Sequence, residues 1–283
     1  MFDLVQVGSE LAAALNSRFE SILHIGQGGQ GLVFRATRIE LEDGSASADD
    51  VALKLLLPNS EEERLLREVA MMEHMRHPCT AELLEHGSCS VPSVSSTAIR
   101  YAAWRFIDGE SLSQRIARGA VDRRTVTVVG RDVSTAIEQF WNQSVVHRDI
   151  KPDNVMLRVG ERESVLIDLG AARYLERHTI TGPGLVWGTL GYWSPEQARG
   201  ERGLTCASDV YSLGITMFEA LLGRHPYNHR QEIMGRAFVD VRAFLPTLDS
   251  RLAQLISQML HPRVAFRPLP DQVSGVCADI LSK

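Results

Sequence analysis

The sequence is short of the features that would send it to a membrane, a zinc site or an oxidising compartment. No apolar run in its 283 residues reaches the roughly 18 that a bilayer-spanning helix needs. The N-terminus, M-F-D-L-V-Q-V-G-S-E-L, opens with an acid and lacks the basic segment of a secretory leader, so the expectation is a chain with no membrane segment of its own. Only four cysteines occur, Cys79, Cys89, Cys206 and Cys277, and none has C-x-x-C or Cys/His spacing. That speaks against a zinc centre and a disulfide framework, and makes a reducing, cytoplasmic setting the default. Neither sign of charge is in strong excess: 30 Lys and Arg are interspersed with 35 Asp and Glu, for a net charge of -5. Neither a nucleic-acid footprint nor a polybasic membrane surface is indicated. Internal repeats are not evident either. What remains is ordinary globular material, 44% hydrophobic, sufficient for two modest domains or one two-lobed domain.

The densest chemistry lies at residues 145–154, V-V-H-R-D-I-K-P-D-N. His147, Arg148, Asp149, Lys151, Asp153 and Asn154 crowd into eight positions, more charge than a buried strand or an ordinary amphipathic helix holds cheaply. Taken alone the segment reads as a loop built for chemistry or as a solvated turn, since Pro152, Asp153 and Asn154 all favour turns.

Along the chain, residues 9–18 read as a short leading helix and a peripheral cover. Gly26, Gly28 and Gly31 then form G-x-G-x-x-G between strand-like segments, a spacing that lets backbone N–H groups approach phosphate oxygens. The same spacing opens dinucleotide-binding folds, where a helix should follow and an acid should come about 20 residues later. Here Leu32-Val33-Phe34 continues as strand, and the polar E-L-E-D-G-S-A-S-A-D-D reads as a β-turn or longer loop. The next strand, V-A-L-K-L-L-L over 51–57, is apolar except for Lys54, which needs an anionic partner unless it snorkels at an edge. Ser60-x-x-Glu63 is a capping box that starts a helix through about Met75. Glu68 flanks its apolar stripe of Leu65, Val69, Met72 and Met75 and is placed to meet Lys54. Two further strands near 83–87 and 98–107 are joined by the serine-rich 88–97. Composition shifts from strand-rich to helix-rich near residue 108, which divides the chain into lobes at 1–107 and 108–283.

A helix over 125–143 delivers the chain into the charged loop. Beyond it, short apolar runs at 155–157 and 165–167 form a hairpin ending in Asp168-Leu169-Gly170. An acid just after a buried strand suits a metal or phosphate position, and equally a turn start. Residues 171–196 lack periodicity and read as a long functional loop, with Thr179 and Thr181 as candidate switch sites. Three helices close the chain, the first with Asp209 in its opening turn, where the helix dipole favours an acid.

In combination these residues resemble the eukaryotic-like, Hanks-type serine/threonine protein kinases over residues 19–280. The resemblance implies an α+β bilobal kinase fold in a single domain, with a small β-rich N-lobe carrying one main helix and a larger helical C-lobe. It implies ATP-dependent transfer of phosphate to Ser/Thr hydroxyls of proteins, with Mg²⁺, or Mn²⁺ in its place. Gly26, Gly28, Gly31, Val33 and Ala52 would surround the nucleotide, and Lys54, oriented by Glu68, would hold its phosphates. Asp149 would position the substrate hydroxyl and accept its proton, Lys151 would offset γ-phosphate charge, and Asn154 and Asp168 would ligate the metal. His147 is structural in this alignment. Arg148 suggests control by a phosphate on the long loop, at Thr181 or, failing it, Thr179. Thr189, in G-T-L-G-Y-W-S-P-E-Q, is similar to the substrate-platform threonine, Glu196 would pair with Arg267, and Asp209 would tie the catalytic loop to a buried helix.

The phrase S-P-E-Q-A-R-G resembles bacterial members more than animal ones. Departures are Leu169 where the family usually has Phe, Trp104 at the gatekeeper position and Arg105 where an acid is common. Implied partners are protein substrates and a transient homodimer for autophosphorylation, with no nucleic acid. Two alternatives keep the fold: a pseudokinase scaffold, disfavoured by the full catalytic inventory, and a small-molecule kinase, whose members generally lack the S-P-E segment and the platform threonine.

Overall fold

A five-stranded antiparallel sheet, with the strands 19–28, 31–42, 45–56, 99–105 and 83–89 in that spatial order, organises the first part of the chain. The computed structural model describes residues 2–15, 18–28, 31–42, 45–57, 62–73, 75–160, 163–168, 172–174, 189–227 and 240–283. They form two compact units, one of residues 1–76 and 81–108 and one of 77–80 and 109–283. In the first unit the strands are β1 (Phe19–Gly28), β2 (Gly31–Glu42), β3 (Ser45–Leu56), β4 (Leu83–Cys89) and β5 (Ile99–Arg105), with helices α1 (Leu4–Ala14) and α2 (Glu62–Met72).

Side-chain alternation gives this sheet two different faces. Leu32, Phe34, Leu53, Leu55, Tyr101 and Ala103 share one, and all are buried in a single apolar cluster. Val33, Ala52, Lys54 and Trp104 share the other, because Val33 stands opposite Lys54 and Ala52 opposite Trp104.

Two expectations for this unit need correction. The leading helix begins at Leu4 rather than at residue 9, because the Asp3 carboxylate accepts the N–H groups of Val5 at 3.1 Å and Gln6 at 3.2 Å and so caps it. Nor is the helix a peripheral cover. Val7, Leu11 and Leu15 recur every fourth residue and are wholly buried against the apolar sheet face, so α1 forms one wall of the core. The second correction concerns the polar segment expected as a loop. β2 and β3 stay in register out to Glu42 opposite Ser45, so residues 40–42 and 45–50 of that segment are strand. The capping serine proposed for the next helix, Ser60, lies outside the described residues.

The second unit is mainly helical: α3 (Leu112–Ala117), α4 (Arg123–Asn142), α5 (Pro195–Ala198), α6 (Cys206–Leu222), α7 (Ser250–Met259) and α8 (Pro270–Leu281). Val126, Val129, Val133, Ile137 and Phe140 make the stripe by which α4 packs, and each is fully buried. Asp122 starts that helix by accepting the Thr125 N–H at 3.0 Å. Almost every side chain of α6 is buried, which makes it the axis of the unit. Two small sheets complete it: β6 (Gly109–Ser111), β8 (Val155–Arg158) and β9 (Ser164–Leu166) in one, and β7 (Val145–Val146) with β10 (Arg173–Tyr174) in the other. Residues 77–80 lie along β9, where the Leu166 N–H donates to the Cys79 carbonyl at 2.8 Å.

Candidate active site

The charged loop leaves β7 and is anchored from α6 before it reaches its functional groups. The N–H groups of His147 and Arg148 each donate to the Asp209 carboxylate at 2.8 Å, and the Arg148 carbonyl accepts from Gln197 Nε2 at 3.0 Å. These bonds hold Arg148 at φ 69°, a left-handed conformation that costs a non-glycine residue about 1–2 kcal/mol. Asp209 is fully buried. Burial raises its carboxyl to about 6, against the opposing pull of the two N–H groups and the Arg148 charge.

Beyond this anchor four side chains close on one another. Asn154 Nδ2 donates to the Asp149 carbonyl at 2.8 Å and to Oδ2 at 3.3 Å. Lys151 Nζ stands 3.1 Å from Asp149 Oδ2 and donates to Thr189 Oγ1 at 2.6 Å. The Thr189 N–H in turn donates to Asp149 Oδ1 at 2.7 Å. Donors on both carboxylate oxygens fix the orientation of Asp149, which is only 6% exposed.

Asp168 reaches this group through β8 and β9. The Ile167 N–H donates to the Asn154 carbonyl at 2.8 Å, which brings the next residue, Asp168 at φ 64°, alongside Asn154. With its amide nitrogen turned to Asp149, Asn154 offers its Oδ1, and Asp168 offers a carboxylate. Both are hard oxygen donors. Among the described residues no three His, Cys, Asp or Glu cluster to hold a metal, so an ion here would complete its shell with water and substrate phosphates, as Mg²⁺ commonly does. The donor set therefore fits Mg²⁺.

His147 is fully buried against Phe140, with ring centroids 5.8 Å apart. Burial lowers its imidazole to about 4, against the nearby Asp149 and Asp168 charges. Neutral at physiological pH, its Nδ1 accepts the Asp149 N–H at 3.3 Å, a bond that shapes the loop. Glu196 and Arg267 form a two-pronged ion pair at 2.6 and 2.9 Å. The guanidinium also donates to the carbonyls of Ala207 and His261, and Ser208 donates to Glu196. Burial alone would raise the Glu196 carboxyl, but Arg267 outweighs it and the net position is about 2.

In the first unit Lys54 Nζ lies 3.4 Å from Glu68 Oε2, with the glutamate side chain 4% exposed. The ammonium also stands 5.8 Å from the centroid of the Trp104 ring, within cation–π range. The glycines of β1 and β2 differ in their reasons. A Cβ on Gly31 would fall 2.3 Å from the Leu55 carbonyl oxygen, so packing alone demands glycine there. A Cβ on Gly26 would meet no protein atom within 4 Å. That open space fits close approach by a phosphate-bearing ligand. Gly28 pairs with Gly31 between β1 and β2. Leu169, Thr179 and Thr181 lie outside the described residues.

A sequence profile described as the protein kinase domain matches residues 19–275. The chain belongs to the protein kinase domain family. The relatives bear out the resemblance to Hanks-type bacterial serine/threonine kinases, and the profile match with the observed sheet-rich first unit and helical second unit bears out the α+β class. The kinase domain is 32% identical to the Bacillus subtilis serine/threonine-protein kinase PrkC, over 76% of this chain and 32% of that protein. It is 30% identical to the Streptomyces coelicolor serine/threonine-protein kinase AfsK, over 92% of this chain and 31% of that one. A Lactococcus lactis protein named as a probable serine/threonine-protein kinase, PknB, is 29% identical over 80% of this chain and 34% of its own length. The chain thus spans about a third of the length of the curated relatives it matches. The family uses ATP and a divalent metal ion. Among the described residues no helix of the kinase domain is long and apolar enough to cross a membrane.

Some residues that matter here carried no recognisable sequence signal. Gln197, 2% exposed, holds the Arg148 carbonyl, and Asp132 accepts the Ser164 N–H at 2.8 Å, tying α4 to the strand before Asp168. Nothing in a lone Gln or Asp on a helix announces such a bond. Only its burial does.

Proposed function

We propose that this domain transfers the γ-phosphoryl group of ATP to serine and threonine hydroxyls of proteins and phosphorylates its own long loop. The observation that carries the reading is the closed group of Asp149, Lys151, Asn154 and Thr189. Asp149, its carboxylate oriented by donors on both oxygens, would align the substrate hydroxyl and take its proton. The Lys151 ammonium would offset charge building on the transferred oxygens. Lys54, kept in place by Glu68, would bind the nucleotide phosphates, with Gly26, Gly28 and Gly31 over them and Val33 and Ala52 against the base. Asn154 and Asp168 would hold Mg²⁺, or Mn²⁺, which when bound neutralises phosphate charge. Positioning and charge compensation are most of what phosphoryl transfer asks of a protein.

Thr189 links Lys151 to Asp149 directly, a place suited to receiving a polypeptide rather than a small metabolite. Arg148 would read a phosphate on Thr181 or Thr179, delivered within a transient homodimer. Trp104 would close the back of the base site, so ligands needing space there should bind poorly. Protein substrates, a cytoplasmic setting and no nucleic-acid partner complete the reading, with residues 1–283 as one kinase domain whose lobes divide at 107/108.

The deciding experiment incubates the protein with Mg²⁺ and labelled ATP beside Asp149→Ala and maps the label by mass spectrometry. Label on Ser or Thr in the wild type alone is expected. No transfer to itself or to generic protein substrates sinks the proposal, as does label on small metabolites only. A Thr179→Ala/Thr181→Ala protein as active as wild type would remove the regulatory part.

A further inference from the structure

The segment from Thr189 to Tyr192 is held from several sides. Thr189 is tied to Lys151 and Asp149, and the Tyr192 N–H donates to the Thr189 carbonyl at 2.9 Å, which closes the turn. From α6, Ser212 Oγ donates to the Tyr192 carbonyl at 2.7 Å and Glu219 accepts from the Tyr192 hydroxyl at 2.6 Å. A further bond comes from the turn that follows α6. His225 Nε2 lies 3.0 Å from the Gly191 carbonyl oxygen, and its half-buried ring stands edge-on to Tyr192 with centroids 5.5 Å apart.

A carbonyl oxygen only accepts, so Nε2 carries the hydrogen, and in the neutral ring Nδ1 is left to accept. It does so from the Tyr227 N–H at 3.2 Å. That bond is local, and the chain repeats it: Nδ1 of His77, His147 and His261 accepts the N–H two residues on at 3.1, 3.3 and 3.0 Å. Shaping such a turn takes one nitrogen. At His225 the other nitrogen reaches 34 residues back along the chain, into the segment whose threonine orients Lys151. The turn that carries the ring is itself fixed to α6. The Gly223 N–H donates to the Glu219 carbonyl at 2.8 Å, and the hydroxyls of Tyr227 and Tyr211 share a hydrogen bond at 2.9 Å.

We propose that His225 is a positioning residue for the protein substrate. Its Nε2–H holds the Gly191 carbonyl, and through it the backbone of residues 189–192, in the shape that receives the polypeptide beside Asp149. The inference deepens the proposed function and rests on it for the word substrate. A bond between parts distant in sequence limits how far the Thr189 turn can shift against α6. The substrate then meets a preformed surface, and less binding free energy is lost in ordering it.

The test compares wild type, His225→Ala, His225→Gln and His225→Asn, each as the whole chain, in steady-state transfer from ATP to dephosphorylated casein. The glutamine amide nitrogen can stand where Nε2 stands and keep the bond to Gly191. The asparagine side chain reaches only as far as Nδ1, so it keeps the local bond to Tyr227 and loses Gly191. His225→Ala and His225→Asn should therefore raise KM for casein by about fivefold, the worth of one hydrogen bond, while His225→Gln stays within about twofold of wild type. KM for ATP should be unchanged in all, because no bond made by His225 involves a residue assigned to the nucleotide. A wild-type KM for casein in His225→Ala overturns the proposal. So does His225→Asn performing as well as His225→Gln, or a KM for ATP that rises by the same factor.

A second readout needs neither ATP nor substrate. Amide hydrogen exchange across residues 189–192, followed by mass spectrometry, should quicken in His225→Ala and His225→Asn but not in His225→Gln, with the amides of α6 unchanged. If that pattern appears while the wild type phosphorylates no protein, the proposed function fails and the substrate role of His225 falls with it, leaving a structural tether. If protein is phosphorylated and neither KM nor exchange responds to the variants, the tether fails and the proposed function stands.

Discussion

Asp149 is held by three neighbours, and that decides how its replacement should read. Asn in its place keeps the shape and can still accept from the Thr189 N–H, so Asp149→Asn should leave thermal stability within about 1 kcal/mol of wild type. Phosphoryl transfer should fall by about 10²–10⁴-fold, the usual range for losing a positioned base. A comparable fall in thermal stability would mean that the residue is a structural brace instead. Thr189 offers a finer cut. Thr189→Ser keeps the hydroxyl that Lys151 reaches at 2.6 Å, whereas Thr189→Val removes it and leaves the backbone N–H on Asp149. Serine should retain most of the rate and valine should lose it, measured as kcat on a protein substrate. Equal rates for the two would show that the hydroxyl has no part in positioning Lys151. Lys54, Asp149 and Asn154 were legible in the sequence because a lone charge in an apolar strand, or six polar groups in eight positions, has no cheap structural explanation. Gln197 and Asp132 were not, because their partners are backbone groups that only the folded chain brings near.

At the scale of elements, two features carry more stability than their sequence suggested. The pair of Glu196 and Arg267 joins α5 to the segment before α8, and neither side chain is more than 5% exposed. Arg267→Met should therefore destabilise by about 3–5 kcal/mol, because it strands a buried carboxylate. Adding Glu196→Leu should recover part of that loss, since a volume-matched apolar pair avoids the desolvation. Urea unfolding of the three proteins checks both statements, and no recovery in the double variant would place the value of the pair in its hydrogen bonds to Ala207, His261 and Ser208. The second feature is α1. It lies before the stretch that matches the kinase profile, yet Leu11→Ala should cost about 2–5 kcal/mol, as for other large-to-small changes in a packed core. An effect below about 0.5 kcal/mol would return the helix to the peripheral role read from the sequence. Its start escaped the sequence reading because the capping Asp3 stands only two residues from the chain end. The β2–β3 hairpin escaped because Ser and Asp weigh against strand, and only the register with Leu53 and Leu55 overrides that weight.

Across the whole molecule, three buried groups set how stability follows pH, and they do not all pull one way. His147 has its folded value lowered to about 4 by burial, so it favours the folded state above its ordinary value near 6.5 and loses that contribution as pH falls to 4. Asp209 runs the other way. Burial raises it to about 6, so the folded state takes up a proton before the unfolded chain does, and stability rises as pH falls from 6 towards the ordinary aspartate value near 4. Each contribution is about 3 kcal/mol by linkage, and between pH 6.5 and 4.5 they largely offset one another. Glu196, lowered to about 2 because Arg267 outweighs the opposing effect of burial, stabilises above its ordinary value near 4.5, and that stabilisation disappears as pH drops towards 2. The urea midpoint should accordingly stay nearly level from pH 6.5 to 4.5 and then fall steeply. Asp209→Asn separates the contributions, because it removes the rising one and leaves His147 unopposed, so its midpoint should begin to fall already near pH 6.5. A variant whose profile kept the level stretch would show that Asp209 does not take up its proton in that window and that His147 is not what it offsets.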